Sequence, residues 1–370
     1  MMLGPPLASS LTTTRRVSRE APLHDIQMHA EIAAGLEKLY PDPEPVLADL
    51  AVHWSAAAPL GHHLTAIAWC RRAATRASDG LGFDEAAGHL TIALGLAEAA
   101  VPDMVGALLV DLARALDGAG EVVKAIDAAA RAGDEARQHG DAELLVEAAL
   151  ALSGSDAMWA LNRDRRVLTL VTDALAATIV GTLAHARLTA KLAALRAFSL
   201  PIQQRRAMLS PAEEVALSAP NGPDIREFLV DAIWASDPLW PDPCVTRLAE
   251  ALVARCEAHH LRPLSHVGTV RGVAAVMNAD GAAFRRQTAI SVAFAERMGN
   301  RLYIATAKQA AANVSLLDGD FDRAEQVRQE ALAAGRDLSP DMILGNYAFT
   351  TTTAGWLRGD FEASNGSSSR

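Results

Sequence analysis

A short motif of glycine, an aromatic residue, an acid and alanine recurs along this chain at nearly constant spacing. Residues 82–97 read GFDEAAGHLTIALGLA, residues 319–335 read GDFDRAEQVRQEALAAG, and residues 359–364 read GDFEAS. The last two copies begin 40 residues apart, and a less complete copy at Gly120 lies 38 residues after the first. A fixed period of this length is typical of helical-repeat arrays, so this feature constrains the fold more than any other.

Small residues recur in register behind the motif. The aligned positions are Phe83, Val122, Phe321 and Phe361, followed by Ala86, Ala93, Ala125, Ala132, Ala324 and Ala331, with Ser364 standing for alanine in the last copy. Glycine permits a tight turn between two helices, the aromatic residue closes the small core at that turn, and the alanines let two helices approach closely. We therefore expect Phe321 to be largely buried.

The repeats predict an all-α fold. They favour a right-handed superhelical solenoid of antiparallel helix hairpins, tetratricopeptide-like, with a period of about 38–40 residues, because one such hairpin cannot bury its apolar face alone. The alternative is chance similarity among alanine-rich helices. Half of the 370 residues are hydrophobic and strand-forming runs are scarce, which also favours helices.

The domain boundaries follow from composition. Residues 1–24 are rich in Pro, Ser and Thr and are expected to be disordered; residues 25–60 form two introductory helices; residues 61–364 form the solenoid; residues 365–370 form a disordered tail. A solenoid normally ends in a polar capping helix. The low-complexity ending NGSSSR therefore predicts a fragment or a truncated reading frame.

The last helix before that ending is expected to present an unpartnered apolar face. Met342, Tyr347, Phe349 and Trp356 belong to a first helix whose second helix is missing from the pattern. Exposed apolar patches seek partners. We expect this end of the array to be frayed, or ordered by self-association.

Charge and cysteine content narrow the function classes. The net charge is −10, whereas nucleic-acid binders usually present a basic face, so we expect no direct nucleic-acid partner. The pairs Arg71-Arg72, Arg205-Arg206 and Arg285-Arg286 are interpreted as solvated helix faces. The three scattered cysteines suit a reduced, cytoplasmic location rather than a disulfide framework. No apolar run is long enough for a membrane span, so we expect no membrane partner.

The region from about residue 25 to 364 resembles a known family. The segments HAEIAAGLEKLYPDPEPVLADLAVHWSAAAPLG, AIAWCRRAATRAS, GFDEAAGHLTIAL and GDAELLVEAALAL are similar, in this order, to the tetratricopeptide-like region of actinobacterial multi-domain ATP-binding regulators. These are the large LuxR-type ATPase regulators and the related ATPase-linked adenylate cyclases. The resemblance implies the sensor and interaction arm of a signalling or transcriptional regulator, which binds a partner protein or peptide.

The chain departs from that family at the sites of its chemistry. None of the four lysines, Lys38, Lys124, Lys191 and Lys308, follows a glycine, so the Walker A dipeptide is absent. No helix-turn-helix or cyclase segment is recognisable. We therefore expect no enzymatic activity and no cofactor. Three hypotheses stay open: a binding module, an inactive fragment of a nucleotide cyclase or LuxR-type regulator, and a non-functional remnant of a longer gene.

The spacing of the histidines along the chain does not predict a metal site. His259 and His260 point in different directions on a helix, and Cys256 and His260 alone cannot complete a ligand set. No catalytic motif is present either, so we predict neither a catalytic nor a metal site. The segment SDPLWPDP at 236–243, with Trp234 before it and Trp240 within it, is either a partner-facing loop or a hydrophobic plug between hairpins.

A partner-binding groove is the favoured functional site. The resemblance implies that first-helix residues of successive hairpins line a concave surface. The positions carried over are Arg71, Thr75, Arg114, Asp117, Gln309, Asn313, Asn346, Phe349 and Thr353. The alternative for each is an ordinary exposed helix residue.

Overall fold

The computed structural model describes residues 23–152, 164–197, 199–237, 243–336, 338 and 340–359. Within these ranges the chain is helical and contains no strand, so the all-α prediction is confirmed. The seventeen α-helices are α1 Leu23–Leu39, α2 Leu47–Ala57, α3 His63–Asp79, α4 Phe83–Ala100, α5 Val105–Ala119, α6 Val122–His139, α7 Ala142–Leu150, α8 Arg165–Ala177, α9 Leu183–Leu195, α10 Ile202–Ser218, α11 Pro223–Ala235, α12 Pro243–Val253, α13 Leu261–Met277, α14 Gly281–Met298, α15 Arg301–Leu317, α16 Phe321–Gly335 and α17 Pro340–Arg358.

Short polar side chains begin many of these helices. The carboxylates of Asp141, Asp164, Asp280 and Asp320 and the side-chain oxygen of Asn300 each accept a hydrogen bond from a backbone N–H of the first helical turn. This satisfies a donor that has no partner within the helix. The starts of these five helices are therefore encoded locally. The first helix begins at Leu23 rather than at Asp25, and the predicted disordered segment otherwise lies outside the described residues.

Packing runs between neighbours in sequence. Each helix packs against the next one along the chain, and several odd-numbered helices also pack against the next odd-numbered helix, as α9 does on α11. The alanines of the motif are all buried: Ala86, Ala93, Ala125, Ala132, Ala324 and Ala331. Their small side chains let the paired helices approach closely. A continuous hydrophobic core follows from this packing and extends from Leu47 to Ile343. No helix in the described part of the chain has both the length and the apolarity to cross a membrane.

The residue aligned across the repeats is the first residue of the second helix in each described copy. Phe83, Val122 and Phe321 begin α4, α6 and α16. Phe361, the fourth aligned position, lies outside the described residues. The repeat pattern therefore located the helix starts correctly.

Glycine forms the turn in only some of the copies. Gly120 and Gly319 have φ angles of +81° and +75°, in the left-handed region where a side chain is strained. In the turn before α4 the left-handed residue is Leu81, with φ +64°, and in the turn before α14 it is Ala279, with φ +53°. The prediction that glycine makes the turn was thus wrong for the first copy, because the chain bends one residue before Gly82.

Two side chains bear on expectations from the sequence. Phe321 is mostly buried, as expected, and the guanidinium of Arg358 lies over its ring, 4.7 Å from the centroid. In the first copy, by contrast, the ring of Phe83 occupies the space that a Cβ at Gly118 would take. Arg205 is buried rather than solvated, and it donates to the carbonyl of Ala235 at 2.5 Å. A guanidinium can bind a helix-end carbonyl, so a basic pair need not mark an exposed face.

The chain also contacts itself over long sequence distances. At the end of α5, Asp117 accepts a hydrogen bond at 2.6 Å from Arg262 at the start of α13, which is 145 residues away. The side-chain amide of Asn300, just before α15, donates to the carbonyl of Gly118 at 2.7 Å. Leu81, in the α3–α4 turn, packs against the cluster formed by α13, α14 and α15. These contacts bring the early and late hairpins together.

Candidate functional site

A groove of about 770 Å³ lies between α3 and α5, over α4. Its polar lining includes Arg71 and Thr75 on α3 and Asp111 and Arg114 on α5, with Glu44 at one end. We call this surface the α3–α5 groove. It lies on the first helices of two successive hairpins, which is where the repeat pattern places a partner-binding surface.

Ion pairs connect successive first helices along this groove. Arg71 on α3 binds Asp111 on α5, with Nη2 and Oδ2 2.8 Å apart, and Arg114 on α5 binds Glu147 on α7. Arg76 pairs with Glu44, Nε to Oε2, at 3.2 Å. Each such exposed pair contributes at most about 1 kcal/mol to stability. Their main effect is therefore to hold the guanidinium groups in fixed orientations at the surface.

The groove can offer both signs of charge to a ligand. Arg71, Arg72, Arg76 and Arg114 line it, together with carboxylates that include Asp111. Arginine presents several N–H donors in a planar fork that suits carboxylates and peptide carbonyls. The groove can therefore offer both donors and acceptors to an extended polar chain.

The groove residues predicted from the sequence fall into two groups. Arg71, Thr75 and Arg114 all line the α3–α5 groove. Asp117 does not, because it is only 6 % exposed and pairs with Arg262. Burial opposes the charge of Arg262 most strongly, but Asp117, Tyr303 and Glu227 together outweigh it and raise the pKa of the guanidinium above its usual range. Asp117 therefore joins two parts of the fold and does not face a partner.

The remaining predicted groove residues lie far from this groove, on α15 and α17. Gln309 donates to the hydroxyl of Thr350 at 3.0 Å, so it connects α15 to α17. Asn313 is half-buried, and the hydroxyl of Thr353 donates to the carbonyl of Phe349 on its own helix at 3.0 Å. The nine predicted positions therefore do not form one continuous surface.

The end of α17 carries an exposed apolar face. Phe349 is 72 % exposed and Trp356 is 66 % exposed. This agrees with the unpartnered face expected from the sequence, although the side chain of Met342 lies outside the described residues. Tyr347 differs from its neighbours because Arg328 lies over its ring at 4.7 Å. Of the three described side chains of this face, only that of Tyr347 is therefore covered by α16.

A second cavity, of about 310 Å³, lies among α13, α14 and α15. Trp234 on α11 and Tyr303 on α15 form part of its wall, and Asn346 on α17 lies at its rim. We call it the α13–α15 cavity. Trp234 is thus packed between hairpins, in agreement with the hydrophobic-plug alternative, whereas Trp240 lies outside the described residues.

A buried histidine supports the aromatic wall of this cavity. The indole N–H of Trp234 donates to Nδ1 of His266 at 3.5 Å, and Nε2 lies 3.0 Å from the hydroxyl of Tyr303. Because an indole N–H can only donate, Nδ1 accepts and Nε2 carries the proton. Burial, reinforced by the charge of Arg262, lowers the pKa of His266 to about 3. The ring is therefore neutral at physiological pH.

The α13–α15 cavity was missed by sequence reasoning, although a signal for it exists. Ser265, Gly268, Thr269 and Gly272 follow the i, i+3, i+4, i+7 spacing of one helix face. A stripe of small residues predicts close packing as readily as a cavity. Only the positions of α14 and α15 show that the space in front of it is open.

Metal-ligating side chains do not converge in the described parts of the chain. There, no group of three or more His, Cys, Asp or Glu residues is placed to hold a metal ion. The rings of His259 and His260 lie against each other, with centroids 4.1 Å apart, instead of converging with Cys256 on one point.

Comparison with known proteins does not identify a relative that would assign a role to these sites. No protein-family model matches the chain, and no curated protein matches it. The function proposed below is therefore based on the geometry of the groove and on the sequence resemblance.

Proposed function

We propose that this chain is the protein-interaction and sensor arm of a signalling or transcriptional regulator, and that it binds a partner protein or peptide in the α3–α5 groove. In this proposal its hairpins form a right-handed, tetratricopeptide-like superhelical solenoid. Most packing is between helices that follow one another along the chain, which supports this arrangement, and the contacts of Asp117 with Arg262 and of Gly118 with Asn300 add a long-range closure to it. The ordered resemblance to LuxR-type ATP-binding regulators supports the regulatory role and a cytoplasmic location.

The observation that carries the proposal is the placement of Arg71, Thr75 and Arg114. They come from two successive hairpins, yet they line one groove of about 770 Å³. Arg71 and Arg114 are each bound to a carboxylate on the next first helix, so their orientation is fixed before any partner arrives. Fixed donors lose less conformational entropy on binding than mobile ones. The groove is therefore preorganised for a peptide with acidic and polar side chains.

The test is selection from a random peptide library displayed on phage, followed by titration of the selected peptides against the full chain. The Arg71→Gln and Arg114→Gln double variant should weaken binding about tenfold or more, since hydrogen bonds to charged groups contribute about 1.5–3 kcal/mol. Binding should also weaken as salt concentration rises.

The matched control is Arg131→Gln. Arg131 on α6 pairs with Glu98 on α4 and is 55 % exposed, so it loses a similar ion pair on second helices, away from the groove. Affinity should be unchanged in this variant. An equal loss in the control, or the failure of any peptide to bind the full chain, would contradict the proposal.

A further inference from the structure

The α13–α15 cavity contains empty space next to a buried glycine. Gly272 lies in the middle of α13 and is buried, yet a Cβ built on it would meet no atom within 4 Å. One turn earlier, a Cβ at Gly268 would meet the hydroxyl of Ser291 at 3.2 Å. Protein interiors are normally packed without such gaps. The space in front of Gly272 is therefore a void that a larger side chain or a ligand could fill.

The chemistry of the lining is uniform. Every described residue that lines the cavity is uncharged. Trp234, Phe284 and Tyr303 provide aromatic surface, and Gln287 provides an amide. The volume of about 310 Å³ falls at the lower end of the range, about 300–1,000 Å³, that small-molecule sites occupy. A mostly apolar wall with a few polar groups is the usual composition of such a site.

Some of these polar groups lack a partner. Thr288 is only 6 % exposed and lines the cavity, and its hydroxyl makes no hydrogen bond to any described residue. The same holds for the side chains of Gln287, Ser291 and Asn346, which line the same space. Although the residue is largely buried, the hydroxyl oxygen of Thr288 is not enclosed by protein atoms and faces the open space of the cavity. These groups are thus donors and acceptors available to a molecule in the cavity.

We propose that the α13–α15 cavity binds an uncharged, ring-containing small molecule that bears a hydroxyl or carbonyl group. The aromatic wall packs against the ring, and Thr288 and Gln287 bind the polar group. A charged ligand is excluded, because it would lose its hydration with no opposite charge in the lining to replace it. This site is separate from the α3–α5 groove and does not depend on the partner proposed for that groove.

The test uses 2-naphthalenemethanol as the probe, titrated into the full chain by isothermal calorimetry. Two matched probes accompany it: 2-naphthoate, which adds a charge, and 2-methylnaphthalene, which lacks the hydroxyl. The alcohol should bind at least tenfold more tightly than the carboxylate. A carboxylate that binds as tightly as the alcohol, or the absence of any binding by the alcohol, would overturn the proposal.

Two variants locate the binding. Gly272→Leu fills the void without a backbone clash and should abolish binding of the alcohol. Its control is Gly95→Leu on α4, where a Cβ also meets no atom within 4 Å and where binding should be unchanged. Both replacements raise helix propensity, so neither is expected to unfold its helix. Equal binding by wild type and Gly272→Leu would overturn the proposal.

Thr288→Val gives a readout that does not depend on filling the cavity. It preserves the shape of the side chain and removes the hydroxyl. Affinity for 2-naphthalenemethanol should fall about fivefold to tenfold, in proportion to one hydrogen bond, while affinity for 2-methylnaphthalene should stay the same. An equal change for both probes would show that the hydroxyl of Thr288 does not contact the ligand.

Discussion

The α3–α5 groove and the α13–α15 cavity are built from corresponding helices of two hairpins, yet they have opposite chemistry. The groove presents exposed guanidinium and carboxylate groups such as Arg71 and Asp111. The cavity presents glycine, hydroxyl and aromatic side chains around a neutral histidine. The repeated motif residues are similar in both regions and set only the helix packing. The residues between the motif positions decide what each surface can bind.

The two regions are also joined to each other. Asp117, at the end of the helix that lines the groove, binds Arg262, at the start of the helix that lines the cavity. Leu81, in the turn next to the groove, packs against the cluster around Tyr303 and Met298. A change at this junction should therefore affect stability more than a change within either region.

The largest expected effect comes from breaking that junction. Asp117→Asn removes the carboxylate from a partly buried ion pair with Arg262, which should lower the free energy of unfolding by about 2–3 kcal/mol. The matched control is Asp111→Asn on the same helix, whose partner Arg71 is exposed. It should cost less than about 1 kcal/mol. Urea unfolding measures both, and equal losses would show that the junction adds nothing.

The second prediction concerns the pH dependence of stability, which His266 should affect in the cavity region only. The pKa of His266 is about 3 in the folded chain, against an ordinary value of 6.5, so the unfolded chain binds more protons between these limits. Stability should therefore fall as the pH decreases through this range, by about 2 kcal/mol from pH 7 to pH 5 for this group alone. His266→Gln should lack this contribution. The control is His139→Gln, at an exposed position (69 %), and it should follow the wild-type pH profile. Identical profiles for wild type and His266→Gln would contradict the prediction.

The smallest expected effect concerns two turns, one before α4 in the groove region and one before α14 in the cavity region. Ala279 and Leu81 both have left-handed backbone, which costs roughly 1 kcal/mol for a residue with a side chain. Ala279→Gly should therefore stabilise the chain by about 1 kcal/mol. Leu81→Gly should be destabilising despite the same relief, because the leucine side chain packs against the α13–α15 cluster. Thermal unfolding of both variants decides this, and a gain in both would mean that Leu81 contributes no packing.

Part of the site could be predicted from the sequence. The family resemblance implied that Arg71, Thr75 and Arg114 line one surface, and the structure places all three along one groove. Asp117 was assigned from the same resemblance and was wrong. Its partner is 145 residues away, and no local pattern reports a contact over that distance. The same limit explains why the α13–α15 cavity was not foreseen.

The sequence by itself determined the helical fold, the starts of α4, α6 and α16, and the buried alanines. Helix propensity and periodic apolar positions act over a few residues, so a repeated motif reports them directly. Tertiary structure decided which residues take the left-handed turns, that Phe321 meets Arg358, and that Asp117 meets Arg262. It also decided that the space beside Gly272 is left open. These features depend on how distant helices meet, and the free energy of that packing is summed over the whole chain rather than encoded in any one repeat.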